Sequence, residues 1–113
     1  MAFYQTYFQA TAGEKYSNPT REYESYFLSF ASGARVELMH MPTISLSLNS
    51  ADAQFTGYIH VAFSVGSKAL VDELTAKLRQ DGYPVVSEPR RTGDDYYESC
   101  VLDPDGNRIE ITV

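Results

Sequence analysis

Residues 58–65 alternate with period two: Ile59, Val61, Phe63 and Val65 lie on one face, and Tyr58, His60, Ala62 and Ser64 on the other. That pattern predicts a half-buried strand. Immediately after it, SKALVDELTAKLRQ (67–80) changes period, with Leu70, Leu74 and Leu78 four apart and Val71 beside them. An amphipathic helix is expected, capped by Ser67 and stopped at Gly82. Strands are then predicted at 84–87, 95–102 and 108–113, the last two joined by the turn sequence Asp103-Pro104-Asp105-Gly106.

The first half repeats this plan with one piece lacking. Phe3, Tyr4, Tyr7 and Phe8 have helical spacing, followed by predicted strands at 11–16, 22–30 and 34–39, the last two separated by a turn at Ala31-Ser32-Gly33. The six residues from Gly33 to Leu38 match those from Gly106 to Ile111 as G-x-R-[VI]-E-[LI], with an offset of 110 − 37 = 73. An internal duplication is the preferred reading. The same offset carries the His60 strand to 60 − 73 = −13, so the first module is expected to lack its own first strand and to open on its helix.

In three strands the apolar residues face one way and a group able to ligate metal faces the other. Glu37 opposes Val36 and Leu38, His60 opposes Ile59, Val61 and Phe63, and Glu110 opposes Ile109, Ile111 and Val113. One sheet face is thus expected to pack on helices. The other face is either washed by solvent or encloses a site where imidazole and carboxylates converge on a divalent ion. Spacing alone leaves both open.

Composition narrows the remaining choices. The 113 residues have the size of one domain, with 43% hydrophobic and 21% charged residues. A net charge of −6 opposes nucleic-acid and anionic-membrane partners. No stretch has the length of a membrane span, and the start MAFYQTYF has no leader pattern. Cys100 is the sole cysteine, so no disulfide forms within the chain and a cytoplasmic location is expected. Cys100 itself reads as a small core or cavity residue, and His40, three residues after Glu37, as a surface or loop residue on the opposite side. Tyr96-Tyr97-Glu98 leads into the closing hairpin, and 89–95 has the composition of a loop.

Taken together, GARVELM, GYIHVAFSV and LDPDGNRIEITV, in this order, resemble motifs of the vicinal oxygen chelate superfamily, which includes glyoxalase I, fosfomycin-resistance proteins, bleomycin-binding proteins and extradiol dioxygenases. The resemblance implies an α+β fold of two βαβββ modules forming a curved mixed sheet around a cavity. Here it is a single domain with module 1 at about 1–41, a linker at about 42–57 and module 2 at about 58–113. It implies metal ligands at Glu37, His60 and Glu110, with a fourth position falling on the absent first strand. The implied cofactor is a divalent metal, Zn or Ni foremost, with Co, Mn or Fe also suited. The implied activity is that of a lactoylglutathione lyase acting on the hemithioacetal of methylglyoxal and a thiol, glutathione by default, with Glu110, or else Glu37, as the proton carrier. A homodimer is expected. Glyoxalase I usually follows the first-module glutamate with an Asn that helps hold glutathione, whereas this chain has Met41 there. Two alternatives stand beside it: a metal-free ligand-sequestering protein of bleomycin-resistance type, and a metal-dependent thiol transferase of fosfomycin type.

Overall fold

A computed structural model describes residues Met1–Val113. The chain divides into two compact units, Met1–Leu46 and Ser47–Val113. In the first, helix α1 (Ala2–Phe8) is followed by strands β1 (Thr11–Ala12), β2 (Tyr16–Asn18), β3 (Tyr23–Ser29) and β4 (Arg35–His40). In the second come β5 (His60–Ser64), α2 (Lys68–Gln80), β6 (Val85–Arg91), β7 (Tyr97–Leu102) and β8 (Arg108–Thr112). The result is α+β, as expected, with two four-stranded sheets.

The duplication is visible in hydrogen-bond register. In the first unit, β3 and β4 pair Ser25 with Met39, Tyr26 with Leu38, Phe27 with Glu37, Leu28 with Val36 and Ser29 with Arg35. Adding 73 to each number reproduces the five β7–β8 partners, among them Cys100 with Glu110 and Val101 with Ile109. The short strands β1 and β2 both pair with the other side of β3, where β6 pairs with β7. Sheet order β5-β8-β7-β6 makes β5 the parallel neighbour of β8, while β4 pairs with β3 alone. In the first unit no strand pairs with the side of β4 that corresponds to the β5-facing side of β8.

Several elements differ from the sequence reading, each for a local reason. The buried stripe of α2 is Val71, Thr75 and Leu78, whereas Leu70 is 46% exposed. Thr75 can occupy the middle of the stripe because its hydroxyl is satisfied. It donates to the Val71 carbonyl at 2.6 Å and lies 2.6 Å from Ser99 Oγ on β7. Strand β6 runs on to Arg91 through residues assigned to a loop. Pro89 is accommodated because β6 is an edge strand whose pairing with β7 is interrupted by register shifts. The strand expected at 11–16 is split into β1 and β2, with Gly13 N–H still bonded to the Phe27 carbonyl. Ile59 and Val61 remain 41% and 50% exposed, because β5 is the other edge of its sheet.

The core of the second unit is Val71 and Leu78 of α2 against Val101, Ile109 and Ile111 of the sheet, all at 1% exposure or less. The turn before β8 is held by the buried Asp103, whose carboxylate accepts from the backbone N–H of Asp105 and Asn107 and from the Asn107 amide. Gly106 in this turn sits at φ 82°, which a side chain would strain. Ser67 Oγ accepts from Leu70 N–H and caps α2 as expected.

The buried hydroxyl pair gives a prediction about stability. Since the Thr75 proton goes to Val71, Ser99 donates to Thr75 Oγ1. Thr75→Val keeps the shape but strands the Ser99 hydroxyl, and is expected to cost about 1–3 kcal/mol. Ser99→Ala removes only the donor and is expected to cost about 0.5–1.5 kcal/mol. Urea unfolding should rank the variants in that order, with the double variant less destabilised than Thr75→Val alone.

Candidate functional site

Because β5 runs parallel to β8 with His60 beside Arg108 and Ala62 beside Glu110, alternate residues of both strands share one face. That face is opposite the one on which Ile109 and Ile111 are buried. His60 reaches diagonally past the small Ala62, placing Nε2 3.3 Å from Glu110 Oε2. The imidazole and carboxylate side chains are 42% and 23% exposed, so both remain open to a ligand. With a proton on Nε2, His60 donates to the carboxylate.

Two more residues expected near this hairpin fall on the same face through β7, whose Cys100 is paired with Glu110 and whose Glu98 is paired with Thr112. Cys100 is buried, and desolvation pushes its thiol up, away from the reactive thiolate. The Glu98 carboxyl is also pushed up, first by burial and then by the negative charge of Glu110, with Asp94 adding and Arg90 and His60 opposing. Tyr97 faces the other way, where its hydroxyl donates to Asp72 Oδ1 on α2 at 2.8 Å. Arg108, beside His60 on the same face as Glu110, donates to the Ala51 carbonyl and partly offsets the upward shift of the Cys100 thiol.

A carboxyl whose folded value lies above its unfolded one adds stability at acid pH, below the unfolded value, and that contribution is lost as pH rises through the folded value. Glu98→Gln is therefore expected to stabilise the metal-free protein at neutral pH by less than about 1 kcal/mol. Urea midpoints measured at neutral pH and again below the normal carboxylate range should show the gain only at neutral pH.

Glu37 belongs to β4 in the first unit, on an exposed position. Its Oε1 accepts a hydrogen bond of 2.8 Å from the Tyr23 hydroxyl. Nearby on that sheet face, the Arg35 guanidinium lies 4.2 Å from the centroid of the Phe27 ring. The Tyr23 ring meets that of Tyr16 edge-on at 6.1 Å. His40 closes β4, is exposed, and pairs with Glu24 on the opposite face from Glu37.

The donor chemistry of His60 and Glu110 fits a divalent ion. Metal–ligand bonds of about 2.1 Å meeting near the tetrahedral angle put donor atoms about 3.4 Å apart, close to the separation observed. Glu37 supplies the same chemistry in the first unit. No group of three or more His, Cys, Asp or Glu side chains is gathered closely enough to hold a metal ion. Within the second unit the structure thus brings His60 and Glu110 together, and within the first it places Glu37 on Tyr23. Tyr23 was not marked by the sequence, since a tyrosine in a strand normally reads as packing and its reach to Glu37 depends on the β3–β4 register.

Comparison with known proteins bears on the fold. The sequence model for the Glyoxalase/Bleomycin resistance protein/Dioxygenase superfamily matches residues 1–111. No curated protein matches the sequence. Among solved structures, the trypanothione-dependent glyoxalase I of Leishmania major is similar at TM-score 0.71 and 24% identity, over 97% of this chain and 73% of that one. A glyoxylase/bleomycin resistance protein/dioxygenase domain from Frankia sp. EAN1pec gives 0.79 at 15% identity, over 99% and 84%. A glyoxalase I variant from Zea mays gives 0.74 at 22% identity, over 97% of this chain but only 38% of the maize chain. At these identities the likeness is one of fold. No helix of the chain is long and apolar enough to cross a membrane.

Proposed function

As the chain belongs to the Glyoxalase/Bleomycin resistance protein/Dioxygenase superfamily, we propose that it is a glyoxalase I-like lyase acting on the hemithioacetal of methylglyoxal and a thiol. The observation that carries this reading is the His60–Glu110 pair, with donor atoms 3.3 Å apart on one sheet face. In this reading His60, Glu110 and Glu37 hold a divalent ion, Zn or Ni foremost. Such an ion, when bound, supplies a positive charge that polarises substrate oxygens and makes the neighbouring C–H more acidic.

The residues of the chain do the rest. The Glu110 carboxylate takes the proton from the carbon bearing sulfur and returns it to the adjacent carbon, while the hydroxyl proton crosses to the other oxygen. The product is a 2-hydroxy thioester, with no atom gained or lost. Partial burial of Glu110 keeps the proton from exchanging freely with water, and the His60 contact aims the carboxylate. Glutathione is the default thiol, with Arg35, Arg90 and Arg91 as cations for its carboxylates. A homodimer belongs to this reading, supported by the unpaired outer edges of β4 and β5. So does a cytoplasmic location, supported by the lone buried cysteine.

A second reading is a metal-free protein that sequesters a small molecule, as in bleomycin resistance. It is favoured by the Arg35–Phe27 stack, an exposed platform for a flat ligand, and by the presence of only two donors at the His60–Glu110 pair. Elemental analysis of protein purified without chelator, followed by thioester formation from methylglyoxal and thiol in Ni- or Zn-supplemented samples, separates the two. Metal uptake with turnover supports the lyase; neither one sinks it.

A further inference from the structure

The two glutamates related by the 73-residue repeat are held by different partners. Glu110 is held from β5, the parallel neighbour of β8, through His60. In the first unit β4 pairs with β3 alone, so the observed partner of Glu37 comes from β3. Glu37 is approached instead from the opposite flank. Tyr23, at the start of β3, donates its hydroxyl to Oε1 at 2.8 Å, and its ring is braced against Tyr16 of β2. The repeat counterpart of Tyr23 is Tyr96 (23 + 73), which lies just before β7 and is 55% exposed. The tyrosine clamp is therefore a device of the first module.

We infer that Tyr23 is a positioning residue that engages one oxygen of Glu37 and leaves Oε2 as the donor offered to a divalent cation. This rests on Glu37 being a ligand in the function proposed above. An exposed glutamate samples several rotamers, and a ligand that must first be ordered binds more weakly by the entropy of ordering. A phenol fixed by its own ring contact removes part of that cost before the ion arrives, and hydrogen-bonded partners of ligating carboxylates have this general effect on affinity. Tyr23 need not touch substrate to act.

The test uses the full chain and cobalt(II) as probe, with affinity read by chelator competition and ligand geometry by the visible cobalt spectrum. Tyr23→Phe keeps the ring and removes the hydroxyl, and is expected to weaken cobalt binding about tenfold without changing the circular dichroism or the unfolding midpoint of the metal-free protein. Glu37→Gln is expected to weaken it further, and adding Tyr23→Phe to Glu37→Gln should then cost nothing more. A purely structural tyrosine would act equally in both backgrounds, and that additivity overturns the inference. So does wild-type affinity in Tyr23→Phe when Glu37→Gln and Glu110→Gln are both weakened. Wild-type cobalt affinity in both glutamine variants overturns the functional reading itself, and the role of Tyr23 with it.

Discussion

If the proposed lyase chemistry holds, Glu110→Gln is expected to lower the turnover number for the methylglyoxal hemithioacetal by about 10²–10⁴-fold, the usual contribution of a positioned acid–base group. Glutamine fills the same volume on β8, and its amide oxygen can still accept from His60, so geometry and folding are preserved. What disappears is a group basic enough to accept a carbon-bound proton and acidic enough to return it. The loss should fall on kcat with little change in KM, because an interaction made only in the transition state has been removed. Steady-state kinetics in Ni- or Zn-supplemented protein, with metal content measured for each sample, checks it. Glu37→Gln, measured alongside with the ion saturating, should retain more turnover than Glu110→Gln. The reverse order would assign the proton to Glu37 and make Glu110 the spectator.

Ile111→Ala should destabilise the second unit by about 2–5 kcal/mol. Ile111 is fully buried on the helix-facing side of β8, one residue beyond Glu110, in the core with Val71, Leu78, Val101 and Ile109. Truncation removes buried apolar surface and leaves a cavity that a closely packed sheet–helix interface cannot fill. Val113→Ala, one residue past the end of β8 and 44% exposed, should change stability by less than about 0.5 kcal/mol. Urea unfolding followed by circular dichroism gives both numbers. Equal effects at the two positions would mean that Ile111 is not in the core of the folded protein.

Much of the scaffold was legible because it is periodic. The switch from period two to period 3.6 at Ser67 marked β5 and α2, and the Asp103–Gly106 turn separated β7 from β8 at sight. The boundary errors have specific physical origins. Leu70 was expected in the buried stripe and Thr75 was not marked, because hydropathy does not register a hydroxyl that returns its proton to its own helix and accepts another from Ser99. Residues 89–91, the start of the expected loop at 89–95, looked like a loop because Pro and charge suit loops, but they suit an interrupted edge strand equally well.

By itself the sequence determined the order of elements, the face on which Glu37, His60 and Glu110 each lie, and the 73-residue repeat. These follow from side-chain alternation and from local turn chemistry, which act between near neighbours in the chain. Only the tertiary structure decided that β5 lies against β8 in the register that sets His60 beside Glu110, and that β3 lies against β4 in the register that sets Tyr23 on Glu37. Pairings across 50 or 14 residues depend on sheet order and on which strand edge is left open, and no local pattern specifies either.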